Sequence, residues 1–403
     1  MKKKILLSAY SCEPNRGSES EVGWCWALSL ANQGNEVFVV TRLNQKKNIE
    51  NFLHFKNLNN LKFIYFDYPN WIIKILKNNN YSYSYLYFFL WQIGIFFKVY
   101  NLIKRIKFDY IHHVTFVSIR IPSFLCLYNV PFIFGPLSGG DTVPKNLRKN
   151  FTLKEKANES LRDLNNFYIK FSPLINLNFL RSKKIYVNSE HTKKLIPKIY
   201  YNKTEVLLAV GYDSNENLKI DKSLNKPFKI CFIGNHINIK GLEIIYKIYQ
   251  NLLIKKFDFT LTMIGDGYQK KNFKDRFIKN KITDKIIFLD PIARINLIKN
   301  LSNFDLLLNP ALRDSGSMII LEAMSIGLPS AVLDLGGPGI IVDNLCGIKI
   351  NPINKSENEI SEEFSSKIIN LSKNIDDYKD KSLKCFDQIK KFSWINKLKY
   401  IYK

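Results

Sequence analysis

Two carboxylates in the stretch at 309–330, NPALRDSGSMIILEAMSIGLPS, are the residues of this chain best placed to do chemistry. Asp314 and Glu322 have seven residues between them, and a turn of Ser315, Gly316 and Ser317 follows the first directly. Pro310 stops the preceding apolar run. Gly316 and Ser317 deliver the chain into a helix predicted from Met318 to Ile326, which Gly327 and Pro329 end. Asp314 is therefore expected in a loop and Glu322 about a turn into the helix. Free N–H groups at Gly316, Ser317 and Met318 can hold a diphosphate, because a helix start presents unpaired donors and the positive end of its dipole. The carboxylates would repel that charge, so they are expected to accept hydrogen bonds from neutral hydroxyls on either side. A diphosphate flanked by two polyols is a sugar nucleotide, with one acid on the sugar and the other on the ribose.

Other loops carry matching types. GNHINIKG at 234–241 sets Gly234 and Asn235 ahead of Lys240, which precedes Gly241 at a predicted helix start. A lysine there opposes the helix dipole unless an anion is present, which suits a phosphate. The spacing is not that of a GxxxxGK[ST] loop, and no GxGxxG occurs, so a nicotinamide dinucleotide site is unsupported. Gly265, Asp266 and Gly267 form a tight turn, and Gly17 and Ser18 open a helix after the first predicted strand. On the strand at 110–116, His112 and His113 are adjacent, so at most one faces a site; His113 is the expected one. Gly139, Gly140 and Asp141 follow another strand. Cys12 has no histidine nearby in sequence and reads as inert.

The elements that must position these residues alternate. Apolar runs at 4–10, 36–42, 61–66, 110–116, 131–136 and 184–189 read as strands, with helical patterns such as 21–33 and 85–106 between them. A second series follows at 228–235, 259–265, 285–290, 304–310 and 329–334. Such alternation predicts an α/β fold of two doubly wound parallel sheets facing each other across a cleft, with ligands beyond the carboxyl ends of the strands. The polar, turn-rich stretch 210–227 is the expected linker between domains at 1–209 and 228–380.

A length of 403 residues and 46% hydrophobic content suit two sizeable cores. The net charge of +25 favours anionic partners, but the lysines are dispersed rather than blocked, which argues against nucleic acid and leaves peripheral contact with an anionic membrane surface open. Six cysteines without a CxxC argue against a zinc site or disulfide framework and suit a reducing, cytoplasmic setting. The N-terminal apolar run is too short for a signal-peptide core. The apolar stretch 85–103 nears the length of a membrane span. Gln92, Lys98 and several tyrosines interrupt it, so a buried or interfacial helix is expected.

Taken together, DSGSMIILEAMSIGLP resembles the E-x7-E stretch and following LEAMA-x-G-x-P of the retaining glycosyltransferases of family 4, which have the GT-B fold. GNHINIKG is similar to that family's G-R-x(4)-K-G, IGDG to its I-G-x-G turn, and AVGYD at 209–213 to the N-G-V-D that opens its linker. SCEPNRGSESEVGW, FDYIHHVTF and PFIFGPLSGGD resemble loops of members acting on cell-surface polysaccharides, and FSWINKLKYIY, within 381–403, resembles the last helix that crosses back to the first domain. Two positions depart: Asp314 stands where most members have Glu, and Asn235 where an Arg would help neutralise the diphosphate. Arg313 is a conceivable substitute.

The resemblance implies sugar transfer from a nucleoside-diphosphate sugar with retention, on the cytoplasmic side, toward a lipid-linked or cell-surface glycan. Lys240 and the 316–318 amides would absorb the leaving charge. Gly17, Ser18, Gly234, Asn235, Gly265, Asp266, Asp314, Ser315 and Glu322 would complete the donor side. A sugar-contacting histidine corresponds to His113, and Gly139, Gly140 and Asp141 would shape the acceptor side. No D-x-D occurs, which fits a metal-independent site without a cofactor. The alternatives are a sugar-nucleotide-binding or membrane-docking module with a weakened donor site, and a sugar-nucleotide epimerase.

Overall fold

The computed structural model describes residues 2–54, 58–76, 82–213 and 224–403. Its contacts divide the chain into two compact units, 1–140 with 163–209 and 394–403, and 141–162 with 210–393.

The first unit holds a seven-stranded sheet of β1 (Lys4–Ala9), β2 (Glu36–Thr41), β3 (Leu61–Tyr65), β4 (Tyr110–Thr115), β5 (Phe132–Leu137), β6 (Ser182–Val187) and β7 (Thr204–Val206). The order is β3-β2-β1-β4-β5-β6-β7, with every pairing parallel. Both faces of such a sheet are covered by helices, so its strands are apolar throughout rather than alternating. Strand β5 is buried along its whole length and β1 at all but Lys4. On one face the helix Ser82–Arg105 packs Tyr87, Phe88, Trp91, Ile95 and Val99, all fully buried, against Leu6, Phe38 and Phe134 of the sheet core.

The second unit holds six parallel strands, β8 (Phe228–Ile233), β9 (Phe259–Ile264), β10 (Ile286–Leu289), β11 (Leu306–Asn309), β12 (Ser330–Leu333) and β13 (Gly347–Ile350). Their order is β10-β9-β8-β11-β12-β13. The helix Leu242–Ile254 buries Leu242, Ile245, Tyr249 and Leu252 in the same core as Phe364 and Ile368 of the helix Glu357–Lys373.

Every strand expected from the apolar runs is present. Strands β7 and β13 are additional, three and four residues long, too short to carry a period. The unit boundaries differ from the sequence-based ones in two places. Residues 141–162 group with the second unit because Val143, Leu147 and Phe151 are buried in its core. Of the C-terminal segment 381–403, only 394–403 groups with the first unit, where Trp394 packs edge-on against Trp26. Most of the expected linker lies outside the described residues.

Candidate functional site

The winding of the six-stranded sheet reverses between its neighbours β8 and β11, with β9 and β10 on one side and β12 and β13 on the other. Loops leaving the carboxyl ends of strands diverge at such a switch point, which is where open parallel sheets bind ligands. Lys240 lies in the loop after β8 and Asp314 in the loop after β11.

Backbone geometry holds these loops against each other. Gly241 has φ 81°, and a Cβ there would lie 2.1 Å from the Pro310 carbonyl oxygen. Gly265, at φ 139°, lets the turn after β9 approach so closely that a Cβ would lie 2.1 Å from the Gly234 carbonyl oxygen. Any side chain at either position would push the loops apart. The turn is locked further: His236 N–H donates to the Asp266 carbonyl at 2.8 Å, and Gly267 N–H donates to Asp266 Oδ1 at 2.8 Å.

The Lys240 ammonium donates to Asp314 Oδ2 at 2.6 Å. The Ser317 hydroxyl donates to the same oxygen at 2.8 Å, and Gly316 N–H donates to Oδ1 at 3.2 Å. Ser317 is itself aimed by Asn309, whose amide donates to its hydroxyl at 3.1 Å from the end of β11. Behind them, Gly337 N–H in the first turn of the helix Gly336–Ile341, which follows β12, donates to the Asp314 carbonyl at 2.8 Å. Burial raises the Asp314 carboxyl, but the charge of Lys240 and the three donors outweigh it and hold the group below its usual range. The ion pair is partly exposed, with Lys240 the more open partner. A lysine beside a glycine-rich loop, neutralised by a single carboxylate and open to solvent, can exchange that partner for an anionic ligand.

Ser317 has φ 71° and opens the helix Met318–Met324, so Gly316, Ser317 and Met318 stand at the helix start as expected. Glu322 lies in that helix, 6% exposed. Asn235 and Asp266 are exposed at the tips of the loops after β8 and β9. The Arg313 guanidinium, the conceivable substitute for the charge missing at Asn235, pairs with Glu159, which also accepts from Val143 N–H at 3.1 Å.

Sequence reasoning missed the contribution of the helix Leu153–Ile169. Glu155 accepts from both loops, from Asn238 Nδ2 at 2.9 Å and from the Tyr268 hydroxyl at 2.7 Å, and Glu159 engages Arg313. Nothing local marks these acids, because their partners lie far along the chain. His236 was also missed. It is buried beside Phe232, and neither ring nitrogen has a hydrogen-bond partner among the described residues. Burial and the nearby Lys270 lower its pKa.

In the first unit, Gly17 precedes the helix Ser18–Asn32 with φ 70°; the side chain of Ser18 lies outside the described residues. Gly139 and Gly140 follow β5, and the Gly140 carbonyl accepts from Asn166 Nδ2 at 2.6 Å. Asp141 is buried and groups with the second unit.

His113, expected to present its imidazole at the end of β4, is instead buried within the sheet. Its ring packs against Phe88 and Phe134, and Nδ1 meets the Ser8 hydroxyl at 3.3 Å. His112, on the opposite face, is fully buried: Nε2 donates to the Gly135 carbonyl at 2.7 Å, and Nδ1 accepts from the Tyr402 hydroxyl at 2.5 Å. Tyr402 accepts in turn from Trp26 Nε1 at 3.1 Å. A parallel sheet covered on both faces leaves neither neighbour exposed. Burial lowers both histidines to about 3, with His112 adding to the effect on His113. The buried Cys12 thiol is pushed up by burial, then by Cys25 and the nearby acids, consistent with an inert group.

Residues 227–374 match the family model described as glycosyl transferases group 1. Protein CapJ of Staphylococcus aureus is 30% identical over 125 residues, covering 30% of this chain and 31% of that protein. The chain spans about a third of the length of the first curated relatives it matches. The two-sheet architecture is that of GT-B glycosyltransferases. A glycosyltransferase from Rickettsia africae superposes with a TM-score of 0.64 at 16% identity, covering 100% of this chain and 98% of that one. A TarM variant of Staphylococcus aureus, solved with fondaparinux, α-GlcNAc-glycerol and UDP, superposes at 0.62 and 12% identity, covering 98% of both chains.

Proposed function

We propose that this chain is a retaining glycosyltransferase of family 4, moving a sugar from a nucleoside-diphosphate donor to a lipid-linked or cell-surface glycan. The observation that carries the reading is the Lys240–Asp314 pair at the switch point between β8 and β11, beside the 316–318 turn, whose Gly316 amide is held by Asp314 itself. The matched family segment encloses all of these residues.

In the proposed reaction the donor diphosphate displaces Lys240 from Asp314. The lysine, with the Gly316, Ser317 and Met318 amides, then faces the β-phosphate, and Asp314 is released to accept from a sugar hydroxyl. Glu322 accepts from the ribose. The acceptor oxygen attacks the anomeric carbon from the face the diphosphate leaves. The carbon–oxygen bond to the β-phosphate breaks with its electron pair on that oxygen, and the acceptor proton passes to the departing phosphate. Charge grows on the β-phosphate as the bond breaks, so groups preset around it lower the barrier without a metal. His113 takes no proton in this scheme, because its neutral, buried imidazole supports the sheet.

One observation favours a second reading, a donor-binding module without turnover. Asn235 brings no charge to the loop, and Arg313 is committed to Glu159. The two separate experimentally. Melting temperature is measured with UDP-, GDP- and ADP-sugars, starting from UDP because TarM was solved with it. Release of nucleoside diphosphate is then followed with glycan acceptors. A ligand that binds only the folded state raises the melting temperature. A shift without release in any acceptor extract supports the binding module; no shift with any donor removes both readings.

A further inference from the structure

We propose that the outward face of the helix Ser82–Arg105 in the first unit is a docking surface for an anionic lipid bilayer, with the helix lying in the plane of the membrane. This inference is independent of the sugar-transfer reading.

The helix is apolar on both faces. Its inward face is committed to the sheet, as Trp91, Ile95 and Val99 show, so the helix does not cross a membrane. Its outward face carries Leu86, Leu90, Ile93, Phe97 and Tyr100, spaced i, i+4, i+7, i+11 and i+14, which brings them onto one stripe. Leu86 is 51% exposed and Phe97 70% exposed, with Tyr100 exposed as well. On the neighbouring helix Asn70–Leu76, Trp71 is 63% exposed. Large aromatic and aliphatic side chains aligned toward solvent mark a surface that something apolar covers.

Charge identifies the occupant. Between Asp67 and Asp109 the sequence holds no acidic residue and six basic ones, Lys74, Lys77, Lys98, Lys104, Arg105 and Lys107. Four of them cluster around the C-terminal half of the stripe, where Lys98, Lys104, Arg105 and Lys107 are exposed and Lys104 stacks 4.2 Å from the Tyr100 ring. The bounding acids are already engaged, Asp67 by Arg42 and the Tyr87 hydroxyl, and Asp109 by Lys4 N–H. An apolar stripe edged with lysine, arginine, tyrosine and tryptophan, its cations without an ion pair among the described residues, fits a negatively charged bilayer interface. The stripe enters the acyl boundary and the cations meet lipid phosphates. A second protein copy would bring the same positive charge against itself.

The test is co-sedimentation of the full chain with vesicles of phosphatidylcholine alone and of phosphatidylcholine mixed with phosphatidylglycerol. The proposal expects binding to the mixed vesicles, weak binding to the neutral ones, and release by salt. Lys104→Ala, Arg105→Ala and Lys107→Ala combined alter exposed residues and leave the packed face intact. They are expected to weaken binding on the order of 100-fold, at about fivefold per basic residue. Phe97→Glu should weaken it as well while circular dichroism and melting stay those of the parent. No binding to anionic vesicles, or equal binding by the triple variant, overturns the proposal. So does a concentration-dependent dimer that Phe97→Glu dissociates while vesicle binding is unchanged.

Discussion

The ends of β8 and β11 in the second unit and the end of β4 in the first use polar side chains in opposite ways. Lys240, Asp314 and Ser317 form a charged group that solvent reaches, built on loops held by glycine contacts. His112, Tyr402 and Trp26 form a neutral chain of hydrogen bonds, every donor and acceptor matched and none exposed. A charged group with an exchangeable partner can serve a ligand. A neutral group with satisfied partners serves the fold, since breaking it strands buried polar atoms. The sequence places a histidine pair and an acid pair in similar strand-end settings, and only burial tells them apart.

Acid should strain the comparison most. A histidine whose folded pKa lies below its unfolded value takes up its proton more readily when unfolded. The stability held by His112 and His113 is therefore complete above about 6.5 and is lost as pH falls toward about 3. Each contributes a slope that rises from about half of 1.4 kcal/mol per pH unit at pH 6.5 to nearly all of it by pH 5, so roughly 3 kcal/mol disappears between pH 6.5 and 5. Urea unfolding at stepped pH, followed by the tryptophans, measures it. Equal midpoints at pH 7 and 5 would mean that these imidazoles are not buried neutral.

Lys240→Ala should cost activity rather than fold. Removing a preset donor to a developing oxyanion costs roughly 100- to 1,000-fold in kcat. The loss should leave the melting temperature within a few degrees of the parent, because the lysine is partly exposed. A large stability loss with unchanged kcat would make the Lys240–Asp314 pair structural, like its counterpart in the first unit. Glu322→Gln should act more gently, raising the donor dissociation constant roughly 10-fold, as expected for losing a charge-assisted hydrogen bond. Isothermal titration with the donor identified by thermal shift measures it, and an unchanged constant would remove Glu322 from the ribose.

Much of this was legible in the sequence, for identifiable reasons. Apolar runs fixed the parallel strands because a sheet covered on both faces needs them, and glycine and proline marked where β11 stops and its following helix begins. Short edge strands such as β13 were not legible. Neither was the attachment of 141–162, whose Val143, Leu147 and Phe151 say only that some core receives them. His113 was misjudged because alternation on a strand assigns faces but not coverage. Glu155 and Glu159 were invisible because a helix surface acid looks alike whether it meets water or a loop.

Tyr402→Phe probes the neutral chain with the smallest change. It deletes one oxygen, so Trp26 Nε1 loses its acceptor and His112 Nδ1 its donor, both in a fully buried setting. Leaving such atoms unmatched costs on the order of 1–3 kcal/mol, although the ring itself still fills its place. The tautomer of His112 stays set by the Gly135 carbonyl, so the imidazole should remain neutral and the loss should vary little between pH 7 and 8. Donor affinity should not change, because none of the three groups belongs to the second unit. Equilibrium unfolding and donor titration on the same protein separate these effects. If affinity falls while stability holds, the histidine and tyrosine act on the ligand, and the division of labour drawn between the two units is wrong.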